Sequence, residues 1–159
     1  VRDVLAALAE SAGPAQILAF AGRNAAARAD IEEVARRHPD AVRPLGFVDN
    51  MHELMAAADF IITKSGGLTA AECLAAGLPM IVYNPIPGQE ERNADFLLES
   101  GVALRANSPA HLLCKFRRLL AEPLLRRRMS RAALRAARPA AAEDILRRAL
   151  DPTPPATHG

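Results

Sequence analysis

The chain has no tryptophan, one tyrosine and five phenylalanines, so only 4% of its 159 residues are aromatic. An interior without large rings must be filled by Ala, Leu and Val, which suits closely packed helices better than an all-β sandwich. Its two cysteines, Cys73 and Cys114, lack CxxC spacing and sit among Ala and Leu. They read as small reduced core residues of a cytoplasmic chain, not as a disulfide framework. Four scattered histidines have no ligand-spaced partner, so no metal site is expected. No apolar run approaches the roughly 20 residues that span a bilayer. The opening VRDVLAALAESAG also lacks the basic stretch and continuous apolar core of a secretory signal. A net charge of +2 does not call for nucleic acid. Neither GxGxxG nor GxxxxGK followed by Ser or Thr occurs, which counts against a dinucleotide fold and a P-loop ATPase.

What is there is an alternation of periods. Helical spacing over 1–11, 24–38, 50–58, 68–77 and 89–101 is interleaved with short apolar runs at 15–22, 41–49, 59–64, 78–84 and 102–106. Pro44 predicts that the second run is short or at a sheet edge. Strands alternating with helices predict βαβ units and a doubly wound, Rossmann-like α/β domain with a parallel sheet. After Ser108-Pro109 the pattern is wholly helical, over 109–121, 124–137 and 140–150. DPTPPATHG, residues 151–159, is expected to be a disordered tail. A doubly wound unit normally opens with a strand, whereas this chain opens in a helix. The domain over 1–150 is therefore expected to have its first strand upstream.

In open α/β sheets the ligand sits beyond the carboxyl ends of the strands, here at 22–25, 46–51, 64–68 and 84–90. Gly13, Gly77 and Gly101 read as helix stops, but Gly66-Gly67 lies at a strand-to-helix junction. There a bare backbone and a helix N-terminus favour an anion. The same stretch has a second reading: Thr69-Ala-Ala-Glu72 has capping-box spacing, which only starts a helix. A third is that glycine serves a left-handed turn.

TKSGGLT…E…GLPMIVYNPIPGQEERN, residues 63–93, resembles the C-terminal, donor-binding domain of GT-B glycosyltransferases. Within these it is most similar to the monogalactosyl and processive glucosyl-diacylglycerol synthases. GFVDNMHELMAAADFIITKSGG also resembles the wider family, including the lipid II N-acetylglucosaminyltransferase. The resemblance covers roughly 15–105. It implies half of a GT-B fold, a UDP-hexose donor with no cofactor, and inverting transfer to a diacylglycerol-like acceptor held by an N-terminal domain. It further implies a cytoplasmic protein, peripheral at the inner face of the membrane, and an inactive isolated fragment. Phe47 and Val48 match the pair whose backbone reads the uracil edge. Ser65, Gly66, Gly67 and Leu68 match the diphosphate loop, and Glu72 the carboxylate that accepts from the ribose hydroxyls. Gly88, Gln89, Glu90 and Asn93 match the hexose-binding segment.

Each assignment has a plainer rival. Phe47 could be a core aromatic, Glu72 the capping-box partner, and Gln89 and Glu90 an ordinary acidic first turn. No catalytic residue is nominated, because in the resembled family the base lies in the other domain. His52 and His111, the only internal substitutes, look like surface helix positions. The basic stretch 114–138 reads as solvated helix faces more readily than as a membrane contact. Two other functions share the half-fold: a UDP-N-acetylglucosamine enzyme (a lipid II-type transferase or a 2-epimerase), and a non-catalytic nucleotide-binding subunit with a separate acceptor subunit.

Overall fold

The structure, a computed structural model, describes residues 1–150; the tail expected at 151–159 lies outside them. In chain order the elements are α1 (Arg2–Glu10), β1 (Ile17–Phe20), α2 (Ala25–Arg37), β2 (Val42–Leu45), α3 (Met51–Ala57) and β3 (Ile61–Thr63). There follow α4 (Gly67–Ala75), β4 (Met80–Tyr83), α5 (Gln89–Glu99), β5 (Ala103–Ala106), α6 (Pro109–Ala121), α7 (Pro123–Ala136) and α8 (Ala141–Leu150). The elements expected from periodicity are all present, with the strands trimmed to three or four residues.

Every recorded strand pair is parallel, as expected for the doubly wound class, but the strands form two ladders. One is β1-β2; the other is β3-β4-β5. β2 pairs only with β1, so Pro44, opposite Ala19, sits at an edge where a missing amide is tolerated.

β4 is central, and alternate residues point to opposite faces. Met80 and Val82 join Met55 of α3, Cys73 and Leu74 of α4, Ala94 and Leu97 of α5 and Ala133 of α7 in one buried layer. Ile81 points the other way, to Leu8 of α1 and Leu112, Phe116 and Leu119 of α6. The β1-β2 ladder is covered on that second side by Leu5 and Ala9 of α1 and Ile31 and Val34 of α2. α1 therefore packs on both ladders. On α6 the buried stripe is Leu112, Phe116, Leu119, and Cys114 falls off it. Cys73 is buried as expected, but Cys114 is exposed, correcting the expectation that both thiols are core.

Candidate functional site

All five strands are parallel within their ladders, so the loops after β1, β2, β3 and β4 leave from carboxyl ends. Three contacts tie these loops in two pairs. After β3, the buried Ser65 hydroxyl donates to the carbonyl of Glu90 at 2.6 Å, and Asn93 Nδ2 donates to the carbonyl of Ser65 at 2.8 Å. After β1 and β2, the Arg23 guanidinium lies over the Phe47 ring, 5.1 Å from its centre.

The N-terminus of α4 answers the question posed by SGGLTAAE. The N-cap is Gly66, and the helix starts at Gly67, two residues before Thr69. Thr69 lies inside the first turn, and Glu72 makes no cap bond, so there is no capping box. The first intrahelical bond runs from Ala70 N to Gly66 O at 2.9 Å. The amides of Gly67, Leu68 and Thr69 thus have no intrahelical acceptor.

Nor do the glycines serve a left-handed turn. Gly66 has φ −61° and ψ 141°, an ordinary extended conformation, and Gly67 is helical. A Cβ at Gly66 would meet nothing within 4 Å, and one at Gly67 only Asn93 Nδ2 at 3.9 Å. Gly88 is the opposite case: φ 106° and ψ −116° at the N-cap of α5 require glycine whatever the function. Its loop opens at Asn84, in the left-handed region at φ 46°, which asparagine tolerates.

Of the residues assigned to the nucleotide, Phe47 is 68% and Leu68 76% exposed, so the core reading of Phe47 is overturned. Val48 is half-buried. Glu72 is exposed, and no hydrogen bond to its carboxylate is found among the described residues. Ser65 stands apart: it is fully buried, its hydroxyl is bonded to the Glu90 carbonyl and its own carbonyl to Asn93. Glu90 and Asn93, assigned to the sugar, also brace the loops around them. Glu90 Oε2 accepts from Ile86 N at 2.8 Å, folding the 84–88 loop, while its carbonyl takes the Ser65 hydroxyl. Gln89 is exposed. Arg105 of β5 holds the solvent side of α5 through Glu91 at 3.2 Å and Asp95 at 3.4 Å. His52 and His111 are exposed on α3 and α6. Sequence reasoning missed Arg23: nothing in GRN shows that its guanidinium meets Phe47, 24 residues on.

Next to Glu72, burial pushes the Cys73 thiol up to about 11, with the Glu72 carboxylate adding to the shift. This thiol is no nucleophile at neutral pH.

Comparison with known proteins gives one family match: the glycosyltransferase family 28 C-terminal domain, over residues 1–145. Among curated relatives, a processive diacylglycerol beta-glucosyltransferase of Bacillus pumilus is 40% identical over 98 residues, which is 62% of this chain and 26% of the relative. One from Bacillus thuringiensis is 33% identical over 131 residues, 82% of this chain and 34% of the relative. The chain thus spans about a third or less of their length. Among solved structures, MurG of Acinetobacter baumannii superposes with a TM-score of 0.70 at 23% identity, over 91% of this chain and 45% of that one. WaaG, a glycosyltransferase of lipopolysaccharide biosynthesis, gives 0.69 at 20% identity, over 94% and 42%. These two likenesses concern the fold alone.

Proposed function

We propose a function from one premise: this chain belongs to the glycosyltransferase family 28 C-terminal domains. It binds the UDP-sugar donor of an inverting hexosyltransferase whose acceptor is a lipid held by another domain of a longer protein. The observation that carries this reading is the Gly66-Gly67 pair. Neither backbone conformation nor packing within the chain requires a glycine there. What remains is close approach of a ligand to unpartnered amides at a helix N-terminus, where a diphosphate fits.

In this reading the amides of 66–69 hold the diphosphate and stabilise the charge that grows on departing UDP, an interaction stronger in the transition state than in the ground state. Glu72 lies six residues after the N-cap, about 9 Å along the axis at 1.5 Å per residue. That distance suits an acceptor-only carboxylate to the ribose hydroxyls, clear of the diphosphate charge. The backbone of exposed Phe47 and half-buried Val48 takes the uracil edge, and Gly88 and Gln89 face the hexose. Ser65, Glu90 and Asn93 act by fixing the 65–67 and 84–90 loops against each other. No cofactor is required, and the base that activates the acceptor comes from the other domain.

Calorimetric titration of UDP, UDP-glucose, UDP-galactose and UDP-N-acetylglucosamine tests the reading. UDP and one UDP-hexose should bind, and a Gly67→Val chain that folds should bind at least tenfold more weakly. Unchanged affinity would refute the diphosphate site, and preference for UDP-N-acetylglucosamine would move the chain to that donor class.

A lipid acceptor places the protein at the cytoplasmic face of a membrane. α7 supports this with a stripe at helical spacing in which Leu124 and Leu134 flank exposed Arg127, Arg128, Arg131 and Arg135. None of these arginines is in an ion pair among the described residues. Sedimentation with phosphatidylglycerol vesicles should retain the chain at low salt, and Arg→Gln at 128 and 131 should release it.

A further inference from the structure

Arg23 is fixed by the backbone on both sides of it. Ala21 N donates to Leu45 O at 3.1 Å, which carries the β1-β2 ladder one step past Phe20. Gly22 then turns in the left-handed region at φ 56°, and Asn24 N closes the turn on Ala21 O at 3.1 Å. The Asn24 side chain caps α2 by accepting from Ala27 N at 3.0 Å. This turn holds residue 23 beside the segment that follows β2, where its guanidinium lies over the Phe47 ring at 5.1 Å from the centre.

Folding does not account for the pair. Phe47 is the most exposed of the five phenylalanines and belongs to none of the core clusters. Phe60 and Phe116, by contrast, pack edge to face in the layer under α6. Arg2, Arg28 and Arg37, on the helices that cover the same ladder, all find carboxylates. Arg23 is exposed and makes no ion pair among the described residues. An exposed cation–aromatic contact adds little to stability. What the turn builds is a planar cation with one face on an aromatic ring and the other open to solvent. It stands at the carboxyl ends of parallel strands, where sheets of this class take ligands.

We infer that Arg23 is a base-stacking residue: the guanidinium face turned away from Phe47 takes the pyrimidine ring of the donor. This rests on the donor-binding reading, in which the backbone of Phe47 and Val48 pairs with the uracil edge. A base paired to a backbone edge lies near the plane of those peptides, and side chains rise out of that plane. The group that covers the Phe47 side chain therefore lies against a face of the base. Placement tells against a phosphate role. The amides proposed for the diphosphate open α4, after β3, whereas Arg23 and Phe47 both follow strands of the other ladder. A planar guanidinium also stacks on a ring as an ammonium does not. Such a platform gains from the whole face of the base whichever sugar follows the diphosphate. Arg23 thus serves affinity for the nucleotide and not the choice of hexose.

The test compares the parent chain with Arg23→Ala, Arg23→Lys and Phe47→Leu, using calorimetry for UDP and inorganic pyrophosphate and NMR titration for uridine. Arg23→Ala should weaken UDP and uridine by the same factor, about fivefold or more, and leave pyrophosphate unchanged. Arg23→Lys should lose as much, because charge alone does not supply a stacking face. Added to Phe47→Leu, the Arg23→Ala change should cost less than it does alone, since the guanidinium has already lost its support. Both side chains are exposed, so every variant should melt with the parent. A loss shared by pyrophosphate, restored by lysine and shrinking with added salt would overturn the inference and make Arg23 a phosphate cation. An Arg23→Ala chain that binds all three ligands like the parent would overturn it too, leaving a surface cation. A parent chain that binds neither UDP nor uridine would remove the donor reading and this inference with it, a result visible before any substitution is made.

Discussion

A glycine within a helix costs about 1 kcal/mol relative to alanine, and Gly67 has nothing in the fold to offset it. Stability and function should therefore separate at this residue. Gly67→Ala is expected to leave the melting temperature unchanged or raise it, while weakening UDP binding about tenfold by calorimetry. A loss of both would mean that the glycine is structural. The two cysteines separate in the same way. Cys114 is exposed and should react with a disulfide reagent at pH 8 within the mixing time, whereas buried Cys73 should react only after denaturation. The Cys73 thiol titrates near 11 against an ordinary 9. The folded state thus holds a proton that the unfolded chain releases, and stability falls as pH rises from about 9 to 11. Cys73→Ala should flatten that part of the pH profile in denaturant titrations.

At the scale of elements, the useful unit is the clasp between the β3–α4 junction and the start of α5. Ser65 and Asn93 join the same two segments, one through the Glu90 carbonyl and the other through the Ser65 carbonyl. Removing the Ser65 hydroxyl leaves the Glu90 carbonyl without that donor, so Ser65→Ala should cost about 1–2 kcal/mol in urea midpoints. Asn93→Ala should cost a similar amount. Because each loss frees the same junction, the double variant should be less destabilised than the sum. Donor affinity should fall in both, since misplaced loops no longer present the amides together. Helical spacing made α4 and α5 readable from sequence. It could not show that Glu90 and Asn93 turn toward the neighbouring loop, because the partner lies 25 or 28 residues away.

At the scale of the whole molecule, the two ladders share no strand pairing and are held together by helices, α1 foremost. Leu8 is 5% exposed and sits on the β4-β5 side of that helix. Leu8→Ala should cost about 2–5 kcal/mol. Its distinctive effect should be on hydrogen exchange: β1 and β2 should lose protection before β4, whose first three residues have no exposed surface. Uniform loss across both ladders would mean that the domain opens as one unit although no strand pairing joins them.

The sequence by itself determined the order and type of the elements, because the periods 3.6 and 2 are local and Gly and Pro end them sharply. It also carried the family, through the run from Thr63 to Asn93, and the junction at Gly66-Gly67. Tertiary structure alone decided what is not local. It removed the capping box by starting α4 at Gly67, and it joined Ser65, Glu90 and Asn93 across two loops. It brought Arg23 over Phe47, exposed Cys114, and divided the sheet into two ladders. Each of these depends on which distant surface a residue meets, and strand pairing and packing set that across the chain.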